Sequence, residues 1–178
     1  MLDTLKSRCT KIFFPNLENE KIDTFLQNEL NLNDDESHFI AHICNGDATF
    51  AIELSKNINK RKEDIKILVN LMMNYDINKW EKLSSNLKDK KEFKISLRLL
   101  LIFLTDVINY KNNAESNQIR CIFFLDEIKK INEKYKANNI YKCIDIINET
   151  EQNITKNLYM PLLITTFYIE IFQILNKK

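Results

Sequence analysis

The chain has 178 residues, a net charge of +1 and 44% hydrophobic residues, enough for one globular unit or two small ones with a proper core. One Gly and two Pro leave almost no punctuation for hairpins, which argues against a strand-rich fold and predicts long helices. The near-neutral charge, with no basic run beyond Lys60-Arg61-Lys62, argues against a free-standing nucleic-acid-binding domain.

In chain order, Thr4-Leu5-Lys6-Ser7-Arg8-Cys9 leads into the apolar run Ile12-Phe13-Phe14-Pro15. Asn16 then reads as the N-cap of a helix whose stripe is Ile22, Phe25, Leu26 and Leu30. A second helix is predicted from Asn33 or Asp34, with Asp34-Asp35-Glu36 at the positive end of its dipole and Phe39, Ile40 and Ile43 facing inward. It must stop at Asn45-Gly46, because the sole glycine is the natural left-handed residue after a helix. Asp47 caps a third helix through Ala51, Leu54 and Ile58.

The charged stretch Asn59-Lys60-Arg61-Lys62-Glu63-Asp64 reads as a joint. Beyond it, Ile65, Leu68, Val69 and Met72 form a stripe that Ile77, Trp80, Leu83 and Leu87 continue. Phe93, Leu97, Leu100, Leu101, Leu104 and Ile108 predict a helix of several turns. The polar run from Lys111 to Asn117 reads as a loop, with Ser116 or Asn117 capping a helix that carries Ile119, Phe123, Ile128 and Ile131. Two last helices are expected through Ile140, Ile144, Ile147 and Ile154, and then through Leu158, Leu162 and Ile169. The final one starts close to Met160, since Pro161 fits a first turn and not an interior. Neither apolar run, Leu99–Leu104 or Leu162–Leu175, reads as a membrane span. Asp106 stops the first, and the second carries Glu170 and falls short of about 20 apolar residues.

Cys9, Cys44, Cys121 and Cys143 are far apart and form no CxxC pair, so reduced thiols in a cytosol are the expectation. His38 and His42 lie four apart on a predicted helix and could share a face. Without an acidic third ligand at helical spacing they read as surface residues, and no metal is expected. An enzyme built on His38 and His42 with Asp34 and Asp35 lacks a recognisable nucleophile, base and orienter.

The string Ser7-Arg8-Cys9 resembles the arginine-finger motif of clamp-loader subunits of the AAA+ class. The stretch from Ile40 to Leu54, an apolar helix, the turn Asn45-Gly46-Asp47 and a second helix, is similar to the pattern of their three-helix lid. Asn153-Ile154-Thr155-Lys156-Asn157-Leu158 resembles the turn before the last helix of their collar domain, with Thr155 where a second Asn would fall. The resemblance implies an all-α chain in three parts. Residues 1–15 would be a remnant of the AAA+ core, 16–59 a lid-like three-helix unit, and 60–178 a collar-like oligomerisation domain.

The resemblance carries implications for function as well. Arg8 would reach the γ-phosphate of a neighbouring subunit's ATP, with Ser7 shaping the turn and Cys9 packing inward. The chain carries no G-x-x-x-x-G-K-[ST] loop and no Walker B strand, so it does not hydrolyse ATP by the P-loop route and needs no cofactor of its own. Where many members place a γ-phosphate-sensing Arg after the glycine turn, this chain has Ala48-Thr49-Phe50, which points to the delta-prime type of the DNA polymerase III clamp loader. Met1 immediately before the finger string fits either a fragment or a shortened gene product. The implied partners are the other clamp-loader subunits in a hetero-oligomer and, indirectly, the sliding clamp and primed DNA, in the cytoplasm and away from membranes. The alternative is an all-helical interaction scaffold unrelated to replication.

Overall fold

The computed structural model describes residues 15–74, 89–112, 119–154, 156 and 159–176. Ser7, Arg8 and Cys9 lie outside them, as do the stripe Ile77–Leu87, residues 113–118, Thr155, Asn157 and Leu158. The regular structure of the described residues is helical throughout: α1 (Asn19–Leu30), α2 (Asp34–Cys44), α3 (Ala48–Ser55), α4 (Ile58–Met73), α5 (Lys90–Lys111), α6 (Leu125–Lys134), α7 (Ala137–Ile154) and α8 (Met160–Asn176), with a 3-10 turn at Ile122–Phe124 leading into α6. The all-α expectation holds.

α2 and α3 follow the capping chemistry closely. The Asn33 side chain accepts from the Glu36 amide at 2.9 Å and starts α2, and Asp47 accepts from the Phe50 amide at 2.9 Å and starts α3. Between them the chain reverses through two left-handed residues, Asn45 at φ 48° and Gly46 at φ 84°. Gly46 is required for a second reason. A Cβ there would lie 2.4 Å from the Cβ of Asn16 and 2.7 Å from the Leu17 carbonyl oxygen. The segment entering α1 is pressed onto this turn, with the Leu17 amide donating to the Gly46 carbonyl at 3.1 Å and the Asn16 side chain to the Asn45 carbonyl at 3.0 Å. Asn16 is therefore a tie and not the predicted cap; α1 begins after Glu18, which makes no side-chain cap bond. Of the predicted α1 stripe, Ile22 and Leu26 are buried, while Phe25 and Leu30 stay exposed.

The charged run 59–64 is helical. The helix breaks earlier, at Lys56-Asn57, and Lys60 to Asp64 form the first turns of α4. Burial explains why: Arg61 and Asp64 are inside, and the stripe Ile65, Leu68, Val69 and Met72 is buried behind them. α5 is the central element. It buries Phe93, Leu97, Leu100, Leu104 and Ile108 as expected, but also Ile95, Leu99, Ile102, Phe103 and Val107. Apolar residues all round a helix signal one enclosed on every side. α4, α6 and α7 each pack on it.

Side chains then close the helix ends. Tyr135 and Lys134 donate to the carbonyls of Met72 and Met73 at the end of α4. Lys111 donates to the carbonyls of Asn132 and Tyr135, at 3.0 and 3.2 Å, at the end of α6. Asp106, fully buried in α5, accepts from the amides of Arg120 and Cys121 at 2.9 and 2.7 Å and from Arg120 Nε at 3.2 Å. Three donors offset the cost of burying that carboxylate, and the approach to α6 is pinned to α5.

One core runs through these helices. Phe39 of α2 meets Phe123 edge-on at 5.1 Å and Phe124 at 6.3 Å, and Phe124 in turn meets Phe103 of α5 at 6.5 Å.

Candidate subunit interface

α7 and α8 form the outer layer on α5 and α4. α7 buries Ile140, Cys143, Ile147, Thr150 and Ile154, a single stripe at steps of three and four. α8 buries Met160, Ile164, Phe167, Tyr168, Ile171 and Leu175, with Phe167 edge-on to Phe93 at 5.8 Å. Here the predicted register is wrong. Leu162 and Ile169, expected inside, are 64% and 46% exposed. The reason is that apolar residues stand at helical spacing on both sides of this segment, Leu162 and Ile169 on one and Ile164, Phe167 and Ile171 on the other, so periodicity alone could not choose between them.

The outward face of α8 has an unusual composition. Leu162 and Ile169, seven residues apart, lie on one side of the helix with exposed Thr165, Thr166 and Gln173 between and beyond them. Tyr159, three residues before Leu162, is 74% exposed and its carbonyl accepts from the amides of Leu162 and Leu163. Over 159–176 the sole charged residue is Glu170. Glu170 is exposed beside Ile169. Single exposed apolar residues are ordinary, but Tyr159, Leu162 and Ile169 recurring along a segment with one charge fit a surface that a partner covers.

Ion pairs tie α4 to α5 and the first three helices to both. The Arg61 guanidinium, 3% exposed, takes both oxygens of Glu92 at 2.8 and 2.9 Å and lies 3.6 Å from Asp64. Lys60 joins the same Glu92 at 2.6 Å. These hydrogen bonds, Arg61 first, hold the Glu92 carboxyl down to about 2. Burial pushes Asp64 the other way. Arg98 of α5 bonds Asp47 at 3.1 Å and lies 3.7 Å over the Phe50 ring, so the capping residue of α3 also ties that helix to α5. Lys62 reaches Glu36 at 3.1 Å and covers the Phe123 ring at 4.1 Å.

The His38 and His42 rings lie 4.2 Å apart, and His38 Nδ1 is 3.5 Å from a carboxylate oxygen of Asp23 on α1. That acid, not Asp34 or Asp35, is the one the fold brings to the pair. Burial first, and then His38, keep the His42 pKa below its ordinary value. Among the described residues no group of three His, Cys, Asp or Glu side chains is arranged to hold a metal. Cys44, Cys121 and Cys143 are free and buried, and burial pushes the Cys143 thiol up to about 12. None of the described helices is long and apolar enough to cross a membrane. An apolar cavity of about 20 Å³ between α4, α5 and α8 is too small for a ligand. The structure therefore assembles no catalytic cluster from these candidates. The outer stripe of α8 escapes a reading of the sequence, although its signal is present in a 17-residue helix that is rich in apolar residues and carries one charge.

No curated protein matches the chain. A family model described as DNA polymerase III, delta subunit, C terminal, matches residues 55–169, from the last turn of α3 into α8, close to two thirds of the chain. The match covers most of the segment that the resemblance reads as a collar and includes 153–158, while Ser7-Arg8-Cys9 and the stretch from Ile40 to Leu54 lie outside it. The chain belongs to the family of C-terminal domains of DNA polymerase III delta subunits.

Proposed function

We propose that this protein is a non-catalytic subunit of the DNA polymerase III clamp loader. In this reading the helices from residue 60 onward act as a collar-like unit that assembles with the helical domains of the other subunits, and residues 16–59 act as the lid-like unit. The observation that carries the proposal is the exposed apolar pair Leu162 and Ile169 on α8, with Tyr159 just before the helix, lying along the end of the family match at 55–169. A helix from a neighbouring subunit packing on that stripe would bury apolar area on both sides, with Glu170 as the one charge to be kept at the rim.

The finer delta-prime reading rests on Ser7-Arg8-Cys9 and on Ala48-Thr49-Phe50 after the glycine turn. Arg8, a delocalised and permanently charged group, would stabilise charge on the phosphoryl group transferring at a neighbour's site. Ser7 and Cys9 would shape the turn that presents it. The activity then belongs to the assembled complex and not to this chain.

Reconstitution with the remaining clamp-loader subunits tests both levels. Leu162→Asp combined with Ile169→Asp should weaken association on the order of a hundredfold without changing the melting temperature, since both side chains face solvent. Association at the parent affinity would remove α8 as the interface. In the same complex Arg8→Ala should leave association intact and lower clamp-stimulated ATPase at the neighbouring site, on the order of 10³-fold. An unchanged rate would remove the finger.

A further inference from the structure

Tyr159, Leu162, Thr166, Ile169 and Gln173 follow one another at alternating steps of three and four, and all five are exposed. That spacing is the a and d pattern of a seam on which a second helix packs at a shallow angle of about 20°. Ile164, Phe167 and Ile171, buried within the chain, stand on the other side of α8, so the two faces do not compete for the same side chains. The seam runs for about 21 Å from Tyr159 to Gln173 at the rise of an α-helix. Tyr159 belongs to it because its carbonyl accepts from the Leu162 and Leu163 amides, at 3.1 and 3.2 Å. Leu163 and Glu170 flank one edge of the seam, and Thr165 and Phe172 the other. Glu170 is exposed and has no ion-pair partner among the described residues.

Two features limit what can cover the seam. The first is its length. A free peptide matched to two heptads is marginal as a helix in water, so the occupant is a helix already held by a folded chain. The second is charge. Between Tyr159 and Asn176 there is no Lys, Arg or His. The seam of a second copy, parallel or antiparallel, therefore brings no cation to Glu170 and adds its own carboxylate to the rim. Charges flanking a seam are what set partner choice and orientation. We propose that α8 takes along this seam a helix of a different folded subunit, one that sets a Lys or Arg against Glu170. The inference rests on the subunit reading above and deepens it by giving the partner's chemistry. Apolar side chains lie opposite Leu162 and Ile169, and hydrogen-bonding ones opposite Thr166 and Gln173, whose polar atoms need partners once covered. Polar groups at such positions specify register more than they add affinity.

Association of the full chain with the remaining clamp-loader subunits, measured over a series of salt concentrations, tests the assignment. Glu170→Gln should weaken association on the order of threefold and reduce its dependence on salt. Glu170→Lys should weaken it at least tenfold, because like charges then meet across the rim. Both variants should keep the parent melting temperature, since the side chain is exposed. Parent affinity and parent salt dependence in both variants overturn the proposal, and so does tighter association of Glu170→Lys, which would place an acid opposite. The double variant Leu162→Asp with Ile169→Asp separates the two levels. If it alone loses association, α8 stands as the interface and the partner chemistry falls; if it too associates as the parent does, the interface itself falls. Sedimentation of the full chain by itself should show a monomer. A dimer that the double variant dissolves would assign the seam to a second copy and overturn the proposal equally.

Discussion

Glu92 shows how far a single side chain can differ from its appearance in sequence. It stands in the first turn of α5, where an acid is ordinary helix chemistry. In the fold it is the shared acceptor of Arg61 and Lys60, and it makes the burial of Arg61 tolerable. Its pKa falls from 4.5 to about 2. A depressed carboxylate contributes stability that is present above its unfolded pKa and is lost as pH falls from there through the folded value. The window is therefore about pH 4.5 down to about 2. With the side chain 26% exposed, screening reduces the contribution to on the order of 2 kcal/mol. Asp64, raised by burial, works in the opposite direction at neutral pH. Glu92→Gln should destabilise the fold by about 3 kcal/mol at pH 7, because Arg61 keeps its charge and is deprived of its bidentate partner. Urea titrations at a series of pH values should also show a flatter acid limb for the variant below pH 4.5. Equal slopes on that limb would mean the pair is not what the acid transition reads.

At the scale of elements, legibility follows how many constraints each segment carries. The turn between α2 and α3 is readable because two chemistries agree there: Asp47 can cap, and Gly46 can take a positive φ. Nothing in the sequence reveals the close approach of Asn16 and Leu17, a contact across 29 positions of the chain. The stripe on α4 is readable, but its charged first turns are not, since Arg61 and Asp64 look solvated until Glu92 arrives from α5. α8 is obscure for the converse reason. Its composition says helix, its Pro161 locates the start, and yet two faces satisfy the same period. Only packing against α7 and α4 chooses the face bearing Ile164, Phe167 and Ile171. That ambiguity is itself informative: among the described residues α7 and α4 cover one face of α8, and Leu162 and Ile169 stay exposed on the other. Asp106 looks in sequence like a charge that interrupts an apolar run. It does so from the interior, held by the amides of Arg120 and Cys121.

The whole molecule raises the question of whether the first three helices and the remainder are separate units, as the division at 59/60 would have it. Their boundary is crossed by aromatic contacts at Phe39, by the Arg98–Asp47 pair stacked on Phe50, and by Lys62 reaching back to Glu36. The buried side chains on both sides form one continuous cluster. A small shared core favours a single all-or-none transition. Phe39 is the side chain best placed to test this, being 2% exposed and in ring contact with residues that precede α6. Phe39→Ala should cost about 3–5 kcal/mol. If the core acts as one, amide exchange should accelerate by the same free energy in α2 and in α5 and α6, because both exchange through the same global opening. Acceleration confined to α1, α2 and α3, with α5 and α6 protected as in the parent, would instead establish two units that unfold separately, and would make the three-helix part a body able to move on the helices behind it.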